Sequence, residues 1–291
     1  MRLICFNDMA GYKIKDLETL TGIKAHTLRM WEKRYDLISP KRTKTKIRTY
    51  TDQELVKLMN VAILYDSGLK ISKIASCSER ELRSKVKDIY NEKQSLGAVV
   101  NLMIQSMIEL DCETFERVLS KSIEKEGLEI VYQNYLVSFL KRIGVLWVVG
   151  TITPVQEHFV SNVIRQKIIV ETDKLPLVEK RKFDAVLFTP EGEYHEISLL
   201  YYNYILRKRN YRTLYLGVNV PTDDLKKTLP STNPKNLVVS MVAAVSKVDY
   251  FKYFQELTSA VKLPVFVGGA VVDQYGLPKS DFIFSIKDWV G

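Results

Sequence analysis

The amino-acid sequence predicts a multidomain protein that is mainly α-helical and ends in an α/β domain. Three observations support this fold class. Apolar residues recur at helical spacing over most of the first two thirds of the chain, a basic segment rich in threonine interrupts them, and the last third alternates short apolar runs with helical segments. We therefore expect an N-terminal winged helix-turn-helix at 11–93, a central four-helix bundle at 94–175 and a Rossmann-like five-stranded parallel sheet at 180–291.

The first domain is predicted from periodicity and from helix-breaking residues. Apolar residues recur at steps of three or four from Ile14 to Tyr35 with an interruption at Gly22, which indicates a helix, a tight turn and a second helix. Pro40 ends the second helix, and the segment KRTKTKIRTY that follows is basic and favours a small hairpin, or wing.

Capping signals place the helices that follow the wing. Thr51 with Glu54 three residues later is typical of a capping box and predicts a helix over about 52–66. Two further helices follow, and Ser78 with Glu81 is expected to cap the second of them.

The middle of the chain is predicted to form the bundle and the last third the sheet. Four helical segments can be separated at 95–110, 112–126, 127–146 and 154–171. The apolar runs FDAVLFT, TLYLG, NLVVSMV, PVFVGG and DFIFS then alternate with helical segments, which favours a doubly wound parallel sheet. Ligands of such sheets bind at the carboxyl ends of the strands, here 189–198, 217–221, 240–244 and 268–272.

Composition excludes several classes of protein. The chain has 291 residues and a net charge of +9, and no apolar run reaches the roughly 18 residues of a membrane-spanning helix. Three widely spaced cysteines form neither a disulfide framework nor a C-x-x-C metal pair, and three histidines are too few for a His-rich metal cluster. We expect a cytoplasmic, nucleoid-associated protein with no membrane partner.

The positive charge is concentrated near the N-terminus. Residues 11–50 hold eleven Lys and Arg against four Asp and Glu. A compact basic block favours a polyanionic partner, with double-stranded DNA first. The alternative is a solubilising basic tail, but the apolar residues at helical spacing within the block favour a folded DNA-binding unit.

The N-terminal motifs are similar to a known family. The segment TLRMWEKRYDLISPKR, followed by RTYTDQEL, resembles the winged helix-turn-helix of MerR-type transcriptional regulators. The resemblance implies that a helix at 24–34 enters the major groove and that the wing grips the flanking backbone. We interpret Trp31 as core packing beside Leu28, and for His26 a surface position stays as open as a base contact. The candidate DNA contacts are His26, Thr27, Arg29, Lys33, Arg34, Lys41, Arg42, Lys44 and Arg48.

A second resemblance lies after the first predicted strand of the sheet. The spacing Glu193-x-His195-x-x-Ser198 is similar to the lower-ligand loop of cobalamin-binding domains, usually D/E-x-H-x-x-G. The resemblance implies that His195 coordinates cobalt from below and that Glu193 holds its other ring nitrogen. Ser240 and the pair Gly268 and Gly269 match later landmarks that admit the nucleotide tail of the cofactor, whereas Ser198 replaces the usual glycine.

The predicted bundle carries a third resemblance. Trp147, with Glu157 and His158 ten residues further on, resembles the helical cap of cobalamin-dependent photoreceptor repressors of the CarH type, which have the same domain order. The resemblance implies that these three residues lie over the upper face of the corrin. Val148 stands where the light-sensing relatives have a histidine. A buried bundle anchor is the alternative for Trp147, and a solvated helix residue is the alternative for His158.

These observations predict a non-enzymatic transcriptional regulator. No nucleophile–base pair, paired-carboxylate site or phosphate-binding loop stands out in the sequence. We expect a DNA-binding repressor whose oligomeric state, a dimer or tetramer, is controlled by cobalamin, with adenosylcobalamin favoured and light as a candidate input. An antirepressor protein is a candidate partner. The alternatives are a cobalamin-independent MerR-type regulator controlled by a partner protein, and a corrinoid carrier of a methyltransferase, against which the helix-turn-helix argues.

Overall fold

The computed structural model describes residues 12–42, 48–92, 96–148, 152–179, 182–242 and 246–290. The chain forms two compact units, 1–163 and 164–291, and the division falls within one long helix. The predicted fold class is confirmed, with helices in the first unit and a five-stranded parallel sheet in the second. The three predicted domain boundaries stay a prediction.

The first unit begins with a helix-turn-helix and a wing. Its elements are α1 Ile14–Thr21, α2 Ala25–Tyr35, β1 Lys41–Arg42, β2 Arg48–Thr49, α3 Asp52–Asp66, α4 Ile71–Ala75 and α5 Glu79–Glu92. Gly22 ends α1 with a φ of 75°, a conformation that suits glycine and explains the interruption in the apolar pattern. Strands β1 and β2 pair antiparallel, which confirms the wing hairpin.

Both predicted capping boxes are present. The Thr51 hydroxyl accepts a hydrogen bond from the Glu54 backbone N–H at 3.3 Å, and the Glu54 carboxylate accepts one from the Thr51 N–H at 2.8 Å. Ser78 and Glu81 repeat the arrangement at the start of α5. These reciprocal bonds satisfy backbone donors that a helix start leaves without intrahelical partners, so they fix where α3 and α5 begin.

The helices of the predicted bundle follow, and the last of them runs from the first unit into the second. These elements are α6 Leu96–Glu109, α7 Cys112–Glu126, α8 Leu128–Val131, a π-helical turn Tyr132–Leu136, α9 Val137–Val148 and α10 Pro154–Asp173. The ring of Phe115 on α7 meets those of Phe139 on α9 and Phe159 on α10 at centroid distances of 5.7 and 5.6 Å. The Tyr135 hydroxyl in the π-helical turn donates to the Glu126 carboxylate at the end of α7. Three helices therefore share one aromatic core.

The helices of the helix-turn-helix pack directly on the bundle. Helix α3 lies against α6, and α1 lies against α9. The Arg142 guanidinium on α9 donates to the Leu20 carbonyl oxygen of α1 at 3.2 Å and to the Asn101 side-chain oxygen of α6 at 2.8 Å. Asp66, the last residue of α3, interacts electrostatically with the same guanidinium. One arginine therefore links the helix-turn-helix to the bundle.

The second unit is a doubly wound sheet. Its elements after α10 are β3 Ala185–Pro190, α11 Ile197–Lys208, β4 Thr213–Val220, α12 Thr222–Thr232, β5 Asn236–Ser240, α13 Lys247–Val261, β6 Val265–Gly268, α14 Ala270–Tyr275, β7 Ile283–Ser285 and α15 Ile286–Val290. The strands are parallel and lie in the order β4-β3-β5-β6-β7. The order reverses at β3, so the carboxyl ends of β3 and β5 flank the crevice where such sheets bind ligands.

Apolar burial accounts for the strand sequences. Val186 and Phe188 of β3, Val239 of β5 and Val267 of β6 are fully buried in one core cluster, and Phe254 of α13 covers them. A parallel sheet covered by helices on both faces requires such continuous apolar runs. None of the helices in the part of the chain that the structure describes is long and apolar enough to cross a membrane.

Candidate functional site

Helix α2 presents a basic surface on one side and core residues on the other. Leu28 and Trp31 are buried, and the Trp31 ring meets the Tyr65 ring edge-on at a centroid distance of 5.0 Å. Trp31 is thus a core residue, as predicted. Thr27 is half-buried at the start of the helix. The exposed candidate contacts on α2 and the first wing strand are His26, Arg29, Lys33, Arg34 and Lys41.

The remaining candidate DNA contacts differ in what the structure describes. The Arg42 side chain and all of Lys44 lie outside the described residues. Arg48 is half-buried, and its Nε donates to the Glu32 carboxylate of α2 at 3.1 Å. A DNA contact by Arg48 stays a prediction, but its contact with Glu32 links the second wing strand to the recognition helix.

Tyr50 strengthens the link between the wing and α2. Its hydroxyl donates to the other Glu32 oxygen at 3.2 Å. Burial, together with the nearby Glu32 charge, raises the pKa of Tyr50 to about 12, so the hydroxyl keeps its proton and remains a donor at neutral pH. Neither Glu32 nor Tyr50 was predicted from the sequence, because neither belongs to the basic set of candidate DNA contacts.

The loop after β3 places Glu193 and His195 at the crevice of the sheet. Glu193 is buried, and one of its carboxylate oxygens contacts the His195 Nδ1 at 2.7 Å and accepts from the His195 backbone N–H at 2.9 Å. The other oxygen accepts from the Val242 backbone N–H at 2.7 Å, in the loop after β5. The carboxylate therefore bridges the two loops on either side of the point where strand order reverses.

Further hydrogen bonds hold the backbone of this loop. The Thr189 hydroxyl donates to the Glu193 carbonyl oxygen at 2.6 Å, and the Asn219 backbone N–H donates to the same oxygen at 3.1 Å. The Asn219 side-chain oxygen accepts from the Gly192 N–H at 2.8 Å. Thr189, Asn219 and Val242 were not predicted from the sequence, because they belong to no recognisable motif. They hold the loop from three different strands or strand ends.

The geometry of the Glu193–His195 pair defines how the imidazole can act. A carboxylate accepts hydrogen bonds, so the contact assigns the ring proton to Nδ1 and the lone pair to Nε2. The His195 side chain is 59% exposed, whereas that of Glu193 is only 4% exposed. The arrangement suits coordination of one metal ion by Nε2. Within the described ranges, no cluster of three metal-ligating side chains occurs.

The other predicted cofactor residues of this unit lie at the ends of β5 and β6. The Ser198 hydroxyl at the start of α11 contacts the Ser240 hydroxyl at the end of β5 at 2.7 Å. Gly268 ends β6, and Gly269 follows with a φ of 100°. A Cβ on Gly269 would lie 2.2 Å from the Met241 carbonyl oxygen, so only glycine permits this close approach between the ends of β5 and β6.

The three predicted residues of the bundle lie in the first unit. Trp147 is in the last turn of α9, and its side chain, like that of Val148, lies outside the described set. Glu157 and His158 lie in the first turns of α10, where a Glu157 oxygen contacts the His158 Nδ1 at 2.8 Å. His158 is 70% exposed. This pair is closer to solvent than the Glu193–His195 pair, because Glu157 is 29% exposed and Glu193 only 4%.

Comparisons with known proteins define the class. Residues 12–80 match the family model described as MerR HTH family regulatory protein, and residues 99–170 match the model described as B12 binding domain. The chain therefore combines a MerR-type helix-turn-helix with a B12-binding domain, the combination expected of a transcriptional regulator.

Two relatives align with this chain over nearly their whole length. The chain is 29% identical over 267 residues to the transcriptional repressor CarH of Myxococcus xanthus, covering 89% of each protein. It is 25% identical over 260 residues to the repressor CarA of the same organism, covering 88% of this chain and 86% of CarA. The protein thus resembles the CarH-type repressors. A monomethylamine corrinoid protein of Methanosarcina barkeri aligns at 16% identity and a TM-score of 0.49, covering 73% of this chain and 96% of that one.

Proposed function

We propose that this protein is a transcriptional repressor that binds duplex DNA through α2 and the wing and binds adenosylcobalamin through His195. The observation that carries the proposal is the buried Glu193 carboxylate holding the His195 Nδ1 at 2.7 Å, in a chain that also has a MerR-type helix-turn-helix. We assign the protein no catalytic activity, and we place its action at the nucleoid in the cytoplasm.

The lower side of the cofactor is assigned to the loop after β3. Glu193 keeps the proton on Nδ1 of His195 and so directs the Nε2 lone pair at the metal. The Val242 backbone N–H holds the carboxylate in place, which fixes the ring orientation. When bound, adenosylcobalamin supplies a cobalt–carbon bond that visible light breaks.

The upper side is assigned to Trp147, Glu157 and His158. Their role is to cover the upper ligand and exclude water from it. Glu157 orients the His158 ring through the contact at 2.8 Å, and His158 is the sole histidine of residues 94–175. Because Val148 replaces the histidine of light-sensing relatives, His158 is the imidazole of this segment that remains for metal coordination.

The cofactor is proposed to control assembly. MerR-type sites are read as two half-sites on one face of the duplex, which a two-fold symmetric protein matches, so we expect a dimer or tetramer on DNA. The cofactor shifts the population of oligomers only by its difference in affinity between them. Loss of the upper ligand in light is expected to favour the smaller species and to release DNA.

Cofactor binding is tested by titrating the purified full chain with adenosylcobalamin in the dark and recording absorbance. We expect a spectrum with histidine below the metal, loss of that spectrum in His195→Ala, and at least about a tenfold loss of affinity. His26→Ala is the matched control, because it removes a histidine from α2 and leaves the sheet intact. Failure of the wild type to take up cobalamin at micromolar concentration would contradict the proposal.

Control of assembly is tested by sedimentation and gel shift on the same samples before and after green light. The expected result is an even-numbered oligomer in the dark, a smaller species after light, and weaker DNA binding by that species. If cofactor and light change neither measurement while DNA binding persists, cofactor control is wrong.

A second candidate function is a MerR-type repressor that works without cobalamin and is controlled by a partner such as an antirepressor protein. The hydrogen bond between Ser198 and Ser240 favours it, because it holds the Ser198 hydroxyl where the family usually has a glycine and therefore no side chain. Unchanged DNA binding with and without cobalamin, together with release by an added protein from the host lysate, would support this function over the first.

A further inference from the structure

The glycine pair at the end of β6 lies against one side chain of α11. A Cβ on Gly268 would lie 2.4 Å from the Tyr202 phenol oxygen and 2.7 Å from the Ile286 Cγ2. The Gly269 backbone N–H donates to the Tyr202 phenol oxygen at 3.2 Å. The Tyr202 phenol therefore occupies the space that the absence of a side chain at position 268 provides.

Ser198 makes a second contact between the same face of α11 and the end of a strand. Ser198 and Tyr202 are four residues apart on α11, so they point in the same direction. Ser198 contacts Ser240 at the end of β5, and Tyr202 contacts Gly268 at the end of β6. Together they fill the space between α11 and the carboxyl ends of these two strands, which we call the groove.

The phenol is held by burial as well as by its hydrogen bond. Burial raises the pKa of Tyr202 to about 12, so the hydroxyl is neutral at physiological pH. The Tyr202 side chain is half-buried, and the part of the ring that is out of water contributes favourable free energy in this position. Moving the ring out of the groove therefore costs free energy, and this cost weakens the binding of any group that needs the same space.

We propose that Tyr202 is a specificity-determining residue that keeps the nucleotide tail of cobalamin out of this groove until the phenol turns away. The inference rests on the proposed function and deepens it, because it states which part of a corrinoid the site accepts readily. A corrinoid without the tail, such as cobinamide, reaches His195 without moving Tyr202. The site therefore discriminates between corrinoids that have a nucleotide tail and corrinoids that lack it.

The test compares hydroxocobalamin with aquocobinamide in absorbance titrations of the full chain, the wild type against Tyr202→Ala. The readout is the ratio of the two dissociation constants, because the free energy of displacing the cofactor's own base is the same for both proteins and cancels in the comparison. We expect Tyr202→Ala to bind cobalamin on the order of tenfold more tightly relative to cobinamide, since a half-buried ring that also accepts a hydrogen bond no longer has to be displaced.

Two additional variants make the result specific. Tyr202→Leu keeps an apolar side chain but is too short to reach Gly268, so it is expected to shift the ratio in the same direction if Tyr202→Ala does not fold. Tyr204→Leu makes the same chemical change two residues further along α11, on another face, and is expected to leave the ratio unchanged.

The outcomes separate this inference from the proposed function. If both corrinoids bind and neither Tyr202 variant shifts the ratio by more than about twofold, the role of Tyr202 is overturned and the cofactor site stands. If Tyr204→Leu shifts the ratio equally, the effect is a general loosening of the helix and the role of Tyr202 is again overturned. If no protein binds either corrinoid, the proposed cofactor function fails, and this inference fails with it.

Discussion

Replacing Arg142 with alanine is expected to loosen the helix-turn-helix from the bundle. The guanidinium donates to the Leu20 carbonyl at 3.2 Å and to the Asn101 side chain at 2.8 Å, and Leu20 and Asn101 are almost completely buried. Alanine leaves both acceptors without this donor, and water has poor access to replace it. Hydrogen bonds to charged groups contribute about 1.5–3 kcal/mol each, so we expect the loss of two of them to lower the free energy of unfolding by about 3–6 kcal/mol.

The loss is expected to depend on pH through Asp66. Partial removal from water raises the pKa of the Asp66 carboxyl above its usual value, and the Arg142 charge opposes that rise. Without Arg142 the pKa rises further. A raised carboxyl pKa means that stability is greatest at low pH and falls as pH rises through the folded-state pKa. The difference in stability between wild type and Arg142→Ala should therefore be larger at about pH 7 than at about pH 4.

The assay is urea unfolding at both pH values, combined with hydrogen exchange of the α1 amides. Faster exchange at α1 is expected in Arg142→Ala, because the guanidinium contacts the end of that helix. Arg117→Ala is the control, since Arg117 is exposed on α7 and donates to Thr114 one turn earlier in the same helix. A loss in Arg142→Ala no larger than the roughly 0.5 kcal/mol expected for the control would refute the reasoning.

Three further predictions concern DNA binding, capping and close backbone approach. Arg29→Ala is expected to lower operator affinity about 10- to 100-fold and to relax base preference. Arg42→Ala is expected to weaken binding to all sequences and to lower the slope of log affinity against log salt concentration by about one. Gel shifts at two salt concentrations check both expectations. Thr51→Ala removes a capping box and is expected to lower stability by about 1 kcal/mol in urea unfolding, and a loss below about 0.3 kcal/mol would count against it. Gly269→Ala places a Cβ 2.2 Å from a carbonyl oxygen and is expected to lower stability by more than about 3 kcal/mol. Gly276→Ala is the control, because Gly276 has a φ of 76° but open space around it, and it should lower stability by only about 1 kcal/mol. Equal shifts in melting temperature for the two variants would contradict this explanation.

Local sequence signals predicted the elements well. The expected helix over 52–66 matches α3, because Thr51 and Glu54 form the capping box that marks its start. The predicted segment 112–126 matches α7, where the Asp111 carboxylate accepts from the Thr114 N–H and caps the helix. The predicted recognition helix at 24–34 is α2 at Ala25–Tyr35. Signals of this kind act over three or four residues, so a single sequence contains them completely.

Features that depend on distant residues could not be predicted. The sequence was interpreted as one helix over 127–146, but the structure has α8, a π-helical turn and α9 there. The segment GGAVV was expected only as a strand-end loop, but Ala270–Tyr275 forms α14. Tyr202 was not selected, because its importance lies in its contact with Gly268, 66 residues away. The Glu193 contact with the Val242 backbone likewise depends on which strands become neighbours.

The π-helical turn at Tyr132–Leu136 sets the rotational phase of the helix that follows it. A π turn holds one residue more than an α turn, which rotates every later side chain by about 100° around the axis relative to an uninterrupted α-helix. Phe139 and Arg142 lie beyond the turn and reach the aromatic core and α1 only in the rotated phase. The turn is therefore equivalent to a single-residue insertion that the fold has retained, and removal of one residue there would turn α9 so that a different set of side chains met the DNA-binding helices.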